Sequence, residues 1–151
     1  MEREKVLVVD DEETVREMVS KIINHIGYDV VTAGKGKEAL EILKNEPCGI
    51  MVTDIRMPEM DGFELTQAVR EQFPKTYIIC MTAHGGSYSY NDVVSAGAAD
   101  YITKPFTIDE MEAKLKRVIR EKDLIAALIQ KSTELEKVNE ELKRLDQLKS
   151  T

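Results

Sequence analysis

Short apolar runs alternate with segments of helical period along most of the chain, and this alternation restricts the fold more than any other feature of the sequence. The runs are brief and rich in branched residues, which is typical of strands buried on both faces of a sheet. They lie at Val6–Val9, Val30–Val31, Ile50–Val52, Tyr77–Met81 and Tyr101–Ile102. Short connections and right-handed crossovers then give a parallel sheet with helices on both faces. The sequence predicts a doubly wound α/β fold with five strands.

The segments between the runs predict the helices. The clearest apolar stripe runs from Val15 to Ile26 and stops at Gly27, as in a helix with a glycine C-cap. Weaker stripes lie at residues 39–43, at 65–69 behind the possible N-cap Asp61, and at 93–96, and a fifth begins at Ile108. Each strand is therefore followed by a helix.

Composition excludes several classes of protein. The chain has 151 residues with 42% hydrophobic content, enough for one core and a small appendage. Its formal net charge of −7 argues against nucleic-acid binding, which needs clustered cations. The apolar stretches are too short to span a bilayer and the N-terminus lacks a signal region, so we expect a cytoplasmic protein without a membrane segment. Cys48 and Cys80 are expected to be ordinary core residues.

Four residues whose side chains could bind a metal or take part in a reaction follow three of the predicted strands. Asp10 and Asp11 come after the first, Asp54 after the third and Lys104 after the fifth. Parallel sheets bind ligands at the carboxyl ends of their strands, so these side chains should share one pocket. Three carboxylates suit a hard divalent cation and a lysine suits a phosphoryl group. Taken singly, the acidic pair also fits a solvated helix start and Asp54 a loop or N-cap aspartate.

Four motifs in register resemble a bacterial two-component response-regulator receiver domain, of the chemotaxis-receiver kind. They are Val8–Glu12, Asp54–Gly62, Met81–Ala83 and Asp100–Phe106. The resemblance covers about residues 4–122 and implies a flavodoxin-like sheet of order 2-1-3-4-5. We therefore expect a receiver domain over residues 1–122 and a C-terminal helical extension over residues 123–151.

The resemblance also implies a chemistry. Asp54 would be the phosphoacceptor, attacking a phosphohistidine of a sensor histidine kinase to form an acyl phosphate. Mg²⁺ would be the cofactor, bound directly by Asp11, Asp54 and the backbone carbonyl of Arg56, with Asp10 mainly a partner through water. The chain would catalyse only its own phosphorylation and dephosphorylation, and would otherwise not be an enzyme.

Further positions carry the implied switch. Lys104 precedes Pro105 in a peptide bond that is cis in the family, and its amino group would pair with a phosphoryl oxygen. Thr82 would donate its hydroxyl to the same group, and Tyr101 would turn inward when Thr82 moves, which changes the exposed face.

Two positions would influence how long the phosphoryl group persists. Arg56 and His84 lie two residues after Asp54 and Thr82 respectively, and in the family these positions flank the phosphoryl group. We expect them to set the phosphate lifetime, without a predicted direction.

After the fifth stripe, no Gly or Pro occurs to end the helix. A heptad seam continues through Leu124, Leu128, Lys131, Leu135, Val138, Leu142 and Leu145. It favours a parallel coiled-coil homodimer; the alternative is a helix that frays or folds back on its own domain. Residues 135–150 resemble the linker of sensor histidine kinases, so the chain is either a stand-alone receiver or the N-terminal piece of a larger kinase protein.

Two function classes remain open at this point. One is a phosphoacceptor signalling module, and the other is a phosphatase-like hydrolase with Asp54 as nucleophile. The short βα loops offer no insertion that would form a substrate pocket, which favours the signalling module.

Overall fold

A computed structural model describes residues 4–83 and 89–149. In these residues, five strands alternate with five helices. The strands are β1 Lys5–Val9, β2 Asp29–Ala33, β3 Ile50–Asp54, β4 Tyr77–Ala83 and β5 Asp100–Lys104. The helices are α1 Glu13–Ile26, α2 Gly36–Asn45, α3 Gly62–Gln72, α4 Tyr90–Ser95 and α5 Ile108–Lys149. Every predicted run falls within a strand and every stripe falls within a helix, except that the stripe at residues 93–96 runs one residue past α4 to its C-cap Ala96.

The strands form one parallel sheet in the order β2-β1-β3-β4-β5. This confirms the predicted fold class. β1 and β3 are neighbours near the middle of the sheet, and Val9 of β1 pairs with Thr53 of β3. The last residues of these strands therefore lie side by side at one edge, where ligands of such folds bind.

The core lies on both faces of the sheet, as the unbroken apolar runs predicted. Val6–Val9 and Ile50–Val52 are fully buried. The two cysteines, Cys48 and Cys80, are buried and free, and burial raises the pKa of each thiol to about 11. They are core residues, as expected.

Two helix caps explain where α1 ends and α3 begins. Gly27 has a φ of 111° and its N–H bonds back to the carbonyls of Ile23 and Asn24, so it is the glycine C-cap predicted for α1. Asp61 is the N-cap of α3 and forms a capping box with Glu64: its carboxylate accepts from the Glu64 N–H, while the Glu64 side chain accepts from the Asp61 N–H.

The chain divides into two compact units between Val118 and Ile119. In the first unit, α5 packs on the sheet through the fully buried side chains of Met111, Leu115 and Val118. In the second unit, helix continues to Lys149, and from Leu124 onward its apolar side chains are exposed in the single chain. None of the described helices is both long and apolar enough to cross a membrane.

Candidate phosphoacceptor site

Three carboxylates converge at the carboxyl edge of the sheet. Asp10 follows β1 directly, Asp11 is the next residue, and Asp54 ends the neighbouring strand β3. One carboxylate oxygen from each of the three lies within 4.8 Å of the others. The structure therefore brings together the acidic residues that the sequence analysis placed in one pocket.

A turn after β1 allows two adjacent aspartates to contribute to the same cluster. Asp10 is fully buried and Asp11 is exposed. The Asp10 carboxylate accepts the N–H of Glu12 at 3.0 Å, and the guanidinium of Arg16 donates to the Asp10 carbonyl at 2.7 Å. In a continuing strand the two side chains would point to opposite faces, so this turn is what lets both reach the cluster.

The start of α3 holds the end of β3 from the other side. Gly62 donates its N–H to the Ile55 carbonyl at 2.8 Å, and the N–H of Ile55 donates to the Asp54 carboxylate at 3.0 Å. A Cβ on Gly62 would overlap the backbone carbonyl of Asp54. Only glycine permits this close approach, which explains the Asp-Gly step at the end of the second motif.

Lys104 supplies a cation between two of the carboxylates. Its amino group lies 3.2 Å from an Asp10 oxygen and 3.2 Å from an Asp54 oxygen, and the Lys104–Pro105 peptide bond is cis. Burial lowers the pKa of Lys104, but the charges of Asp54 and Asp10 outweigh that effect and raise it. Lys104 is therefore a fixed positive charge in the site.

The pKa of the Asp54 carboxyl reflects opposing influences. Burial raises this pKa above its ordinary value, the charge of Lys104 opposes the shift, and the charge of Asp10 adds to it. The net shift is upward, so burial, together with the charge of Asp10, disfavours the ionised form of Asp54 when no further cation is present. A bound divalent cation would remove that penalty.

A cavity of about 700 Å³ opens onto Asp54. Its walls include Asp11, Arg56, Thr82 and Lys104. The Thr82 hydroxyl donates to the Ile102 carbonyl across 3.5 Å, at the limit of a hydrogen bond, so it has little to hold it in that orientation. His84, the other residue predicted to influence phosphate lifetime, lies outside the described residues.

The donor set suits Mg²⁺. Three carboxylates offer hard oxygen ligands, and the cluster opens into the cavity through the exposed Asp11. Mg²⁺ uses one or two carboxylates together with waters and phosphate oxygens, so such an open, partly protein-lined site fits it better than a closed cage would.

Tyr101 is the second residue of β5, and its side chain is half-buried against the core. Its ring centroid is 4.6 Å from that of Tyr90 in α4, and the amino group of Lys114 in α5 lies 5.1 Å from the ring centroid. Lys114 also donates to Asp100, which accepts from Arg117 as well. Sequence reasoning missed this cluster because nothing in the spacing of Asp100 and the two cations indicates that they meet.

Comparisons with known proteins agree with this geometry. The model of the response regulator receiver domain family matches residues 6–116. The chain is 35% identical over 122 residues to the alkaline phosphatase synthesis transcriptional regulatory protein PhoP of Bacillus subtilis, a match that covers 81% of this chain and 51% of that protein. It is 39% identical over 123 residues to a probable transcriptional regulator, ycf27, of Porphyridium aerugineum, again covering 51% of the relative.

Solved structures give the same result. The chemotaxis protein CheY4 of Vibrio cholerae superposes with a TM-score of 0.72 at 35% identity, covering 77% of this chain and 98% of that one. A receiver domain protein of Clostridium thermocellum superposes with a TM-score of 0.76 at 27% identity, covering 81% and 98%. The chain therefore belongs to the response regulator receiver domain family and is a signalling domain of two-component systems. It spans about half the length of the curated relatives it matches.

Proposed function

We propose that the chain accepts a phosphoryl group on Asp54 from a phosphohistidine of a sensor histidine kinase. The observation that carries this proposal is the cluster of Asp10, Asp11 and Asp54 oxygens within 4.8 Å, with the Lys104 amino group 3.2 Å from Asp54. A carboxylate oxygen of Asp54 forms the new bond to phosphorus while the phosphorus–nitrogen bond breaks, and the bonding electrons stay on the imidazole. The product is an acyl phosphate.

Four residues would hold the cofactor. Asp11, Asp54 and the Arg56 carbonyl would bind Mg²⁺ directly, and Asp10 would act mainly through water. When bound, the cation neutralises charge on the phosphoryl oxygens. Lys104 adds a fixed charge next to Asp54 in the lining of the cavity, where it can offset negative charge that develops on the transferring group.

The phosphorylated state would be transmitted by two side chains. The weakly held Thr82 hydroxyl is free to exchange the Ile102 carbonyl for a phosphoryl oxygen. Tyr101 would then turn inward and change the surface formed by α4, β5 and α5. Arg56 and His84 would set the phosphate lifetime. If replacing both residues left the dephosphorylation rate within about twofold of the wild-type rate, this assignment would be wrong.

The reaction would stop at one phosphoryl group per chain. A phosphatase-like hydrolase with Asp54 as nucleophile is the less favoured candidate, because it needs a substrate-binding insertion and the connections around the cavity are short. We therefore assign the chain no catalysis beyond its own phosphorylation and dephosphorylation.

The helix of residues 119–149 would form a parallel coiled-coil homodimer. Six apolar heptad positions are between 46% and 63% exposed in the single chain, and a second copy would bury them. They are Leu124, Leu128, Leu135, Val138, Leu142 and Leu145. The similarity of residues 135–150 to a histidine-kinase linker also supports a second possibility, in which the chain is the N-terminal receiver of a larger kinase protein.

We place the chain in the cytoplasm, where ATP-dependent kinases supply phosphohistidine and where free cysteines such as Cys48 and Cys80 stay reduced. We assign no nucleic-acid contact to it, since its net charge is −7. Its relatives that are transcriptional regulators are about twice as long as the segment that this chain matches.

Incubation with acetyl phosphate and Mg²⁺ tests the proposal. Intact-mass spectrometry should show one added phosphoryl group per chain, which is lost in Asp54→Asn and in the presence of EDTA. Asp29→Asn is a matched control, because Asp29 is an exposed aspartate at the opposite, amino end of β2. Phosphorylation that persists in Asp54→Asn, or repeated turnover of phosphoesters, would contradict the proposal.

A further inference from the structure

The ring of Tyr101 contacts both an aromatic ring and a cation. Tyr90 packs against it at a centroid distance of 4.6 Å and an interplanar angle of 53°, and Lys114 places its amino group 5.1 Å from the ring centroid. The tilted ring pair and the cation over the ring face are both favourable arrangements. Tyr101 is thus held by α4 and by α5 at the same time.

Lys114 is itself held in place, unlike most surface lysines. Its amino group donates to the Asp100 carboxylate at 3.2 Å, and Asp100 is only 8% exposed. The same carboxylate accepts from Arg117 at 2.7 Å and from the Tyr101 N–H at 2.8 Å. Because Asp100 immediately precedes Tyr101 in β5, the carboxylate that fixes the cation and the ring that the cation covers are adjacent in the chain.

We infer that Lys114 is a positioning residue that holds Tyr101 in the half-buried position seen in this structure, which is the non-phosphorylated arrangement. For the ring to turn inward it must leave the Lys114 amino group, so this contact opposes the switch. The inference rests on the proposed function, because it assigns Tyr101 the role of the moving aromatic. It adds a residue on α5 that sets how readily the receiver switches.

The contact has a direct consequence for the binding of a phosphoryl mimic. A ligand that binds only the inward arrangement has an apparent affinity equal to its intrinsic affinity multiplied by the fraction of molecules in that arrangement. Raising this fraction therefore tightens the observed binding. Replacing Lys114 by Met keeps most of the side-chain volume and removes the charge. We expect Lys114→Met to bind beryllofluoride, in the presence of Mg²⁺, about three- to tenfold more tightly than the wild type.

Lys116 provides a matched control on the same helix. Its side chain is exposed and pairs with Glu112 at 2.7 Å, so Lys116→Met makes the same change of charge away from Tyr101. Lys114→Arg should retain the wild-type affinity, because a guanidinium also stacks on aromatic rings and pairs with carboxylates. In a Tyr101→Leu background, Lys114→Met should have no effect, since the ring that it covers is gone.

Beryllofluoride affinity is one readout, and the ring itself is the second. The ¹⁹F resonance of fluorotyrosine at position 101, identified by its loss in Tyr101→Phe, should shift in Lys114→Met and stay unchanged in Lys116→Met, without Mg²⁺ or mimic. Any of three results would overturn the inference. The ¹⁹F shifts could be equal in the two variants, the beryllofluoride affinities of Lys114→Met and the wild type could agree within twofold, or the effect of Lys114→Met could persist in the Tyr101→Leu background. Failure of the wild type to bind beryllofluoride would instead refute the proposed function, and the ¹⁹F comparison would still decide the role of Lys114.

Discussion

Replacing Lys104 by Met should destabilise the metal-free receiver and make it depend more strongly on Mg²⁺. Lys104 forms ion pairs at 3.2 Å with Asp10, whose side chain is fully buried, and with Asp54, whose side chain is 13% exposed. Removing one partner of a buried ion pair costs about 3–5 kcal/mol. Lys104 is itself 26% exposed and Asp54 can take up a proton, so we expect a loss of about 2–3 kcal/mol at neutral pH.

Mg²⁺ should recover part of this loss. In the proposed site of the wild type, Mg²⁺ would compete with Lys104 for the same carboxylates and would be repelled by its charge. Without the lysine, its dissociation constant should fall at least about tenfold, which adds about 1.4 kcal/mol of stability at saturating Mg²⁺. The difference in unfolding free energy between wild type and Lys104→Met should therefore narrow by about that amount when Mg²⁺ is added.

Urea unfolding followed by tyrosine fluorescence measures this difference. All five tyrosines lie before residue 119 and the chain has no tryptophan, so the signal comes from the first unit alone. Lys44→Met is the matched control, because Lys44 pairs with Glu41 at 3.4 Å with both side chains more than half exposed; it should cost at most about 0.5 kcal/mol, with or without Mg²⁺. A loss below about 0.5 kcal/mol in Lys104→Met, or a loss that Mg²⁺ does not reduce, would refute the reasoning.

Three further outcomes are expected. Burial raises the pKa of the Asp100 carboxyl, but the Tyr101 N–H and the cations of Arg117 and Lys114 outweigh burial and lower it. The ionised carboxyl therefore stabilises the fold above the ordinary aspartate pKa, and this stabilisation is lost as pH falls through the lowered value. In urea unfolding, Asp100→Asn should lower the free energy of unfolding by about 1 kcal/mol at neutral pH, and this loss should vanish in acid. Lys131→Leu should lower the dissociation constant of the homodimer at least about tenfold in sedimentation equilibrium, since it replaces facing charges in the heptad seam. Lys137→Leu, on the outer face, should leave that constant unchanged, and equal effects of the two substitutions would exclude the seam. Cys48 and Cys80, both buried with thiol pKa about 11, should resist a thiol reagent at pH 8 until urea unfolds the chain, and rapid labelling of the native protein would contradict their core placement.

The elements of the fold could be predicted because the local signals agree with the global arrangement. Unbroken branched runs such as Val6–Val9 have no stable place except a buried strand, and Gly27 ends α1 where the apolar stripe ends. Parallel strands whose connections are short place all their carboxyl ends on one edge, so the strand assignment alone predicts that Asp10, Asp11 and Asp54 share that edge. Their contact also requires β1 and β3 to be neighbours. The strand order came from family resemblance, because no pattern within this chain distinguishes which strands are neighbours.

Contacts that depend on side-chain reach could not be predicted in this way. Lys104 bridges Asp10 and Asp54 at 3.2 Å. This pairing depends on how far the carboxyl ends of β1, β3 and β5 extend relative to one another along the sheet. Lys114 meets Tyr101 and Asp100 only because α5 crosses β5 at one particular position. On a helix face Lys114 is indistinguishable by spacing from a solvated lysine, so tertiary structure alone assigns it a role.

One five-residue strand connects the candidate site to the surface on which we propose that the signal appears. β5 begins with Asp100, which binds Lys114 and Arg117 of α5; its second residue is Tyr101; and its last is Lys104, which contacts Asp54. Its neighbour β4 pairs Thr82 with Thr103 of β5, one residue from Lys104. A phosphoryl group on Asp54 would draw on Lys104 and Thr82 together, and both movements would act on β5. Because Asp100 anchors the other end of that strand to α5, we expect the signal to appear as a movement of the Tyr101 side chain that breaks its contacts with Tyr90 and Lys114.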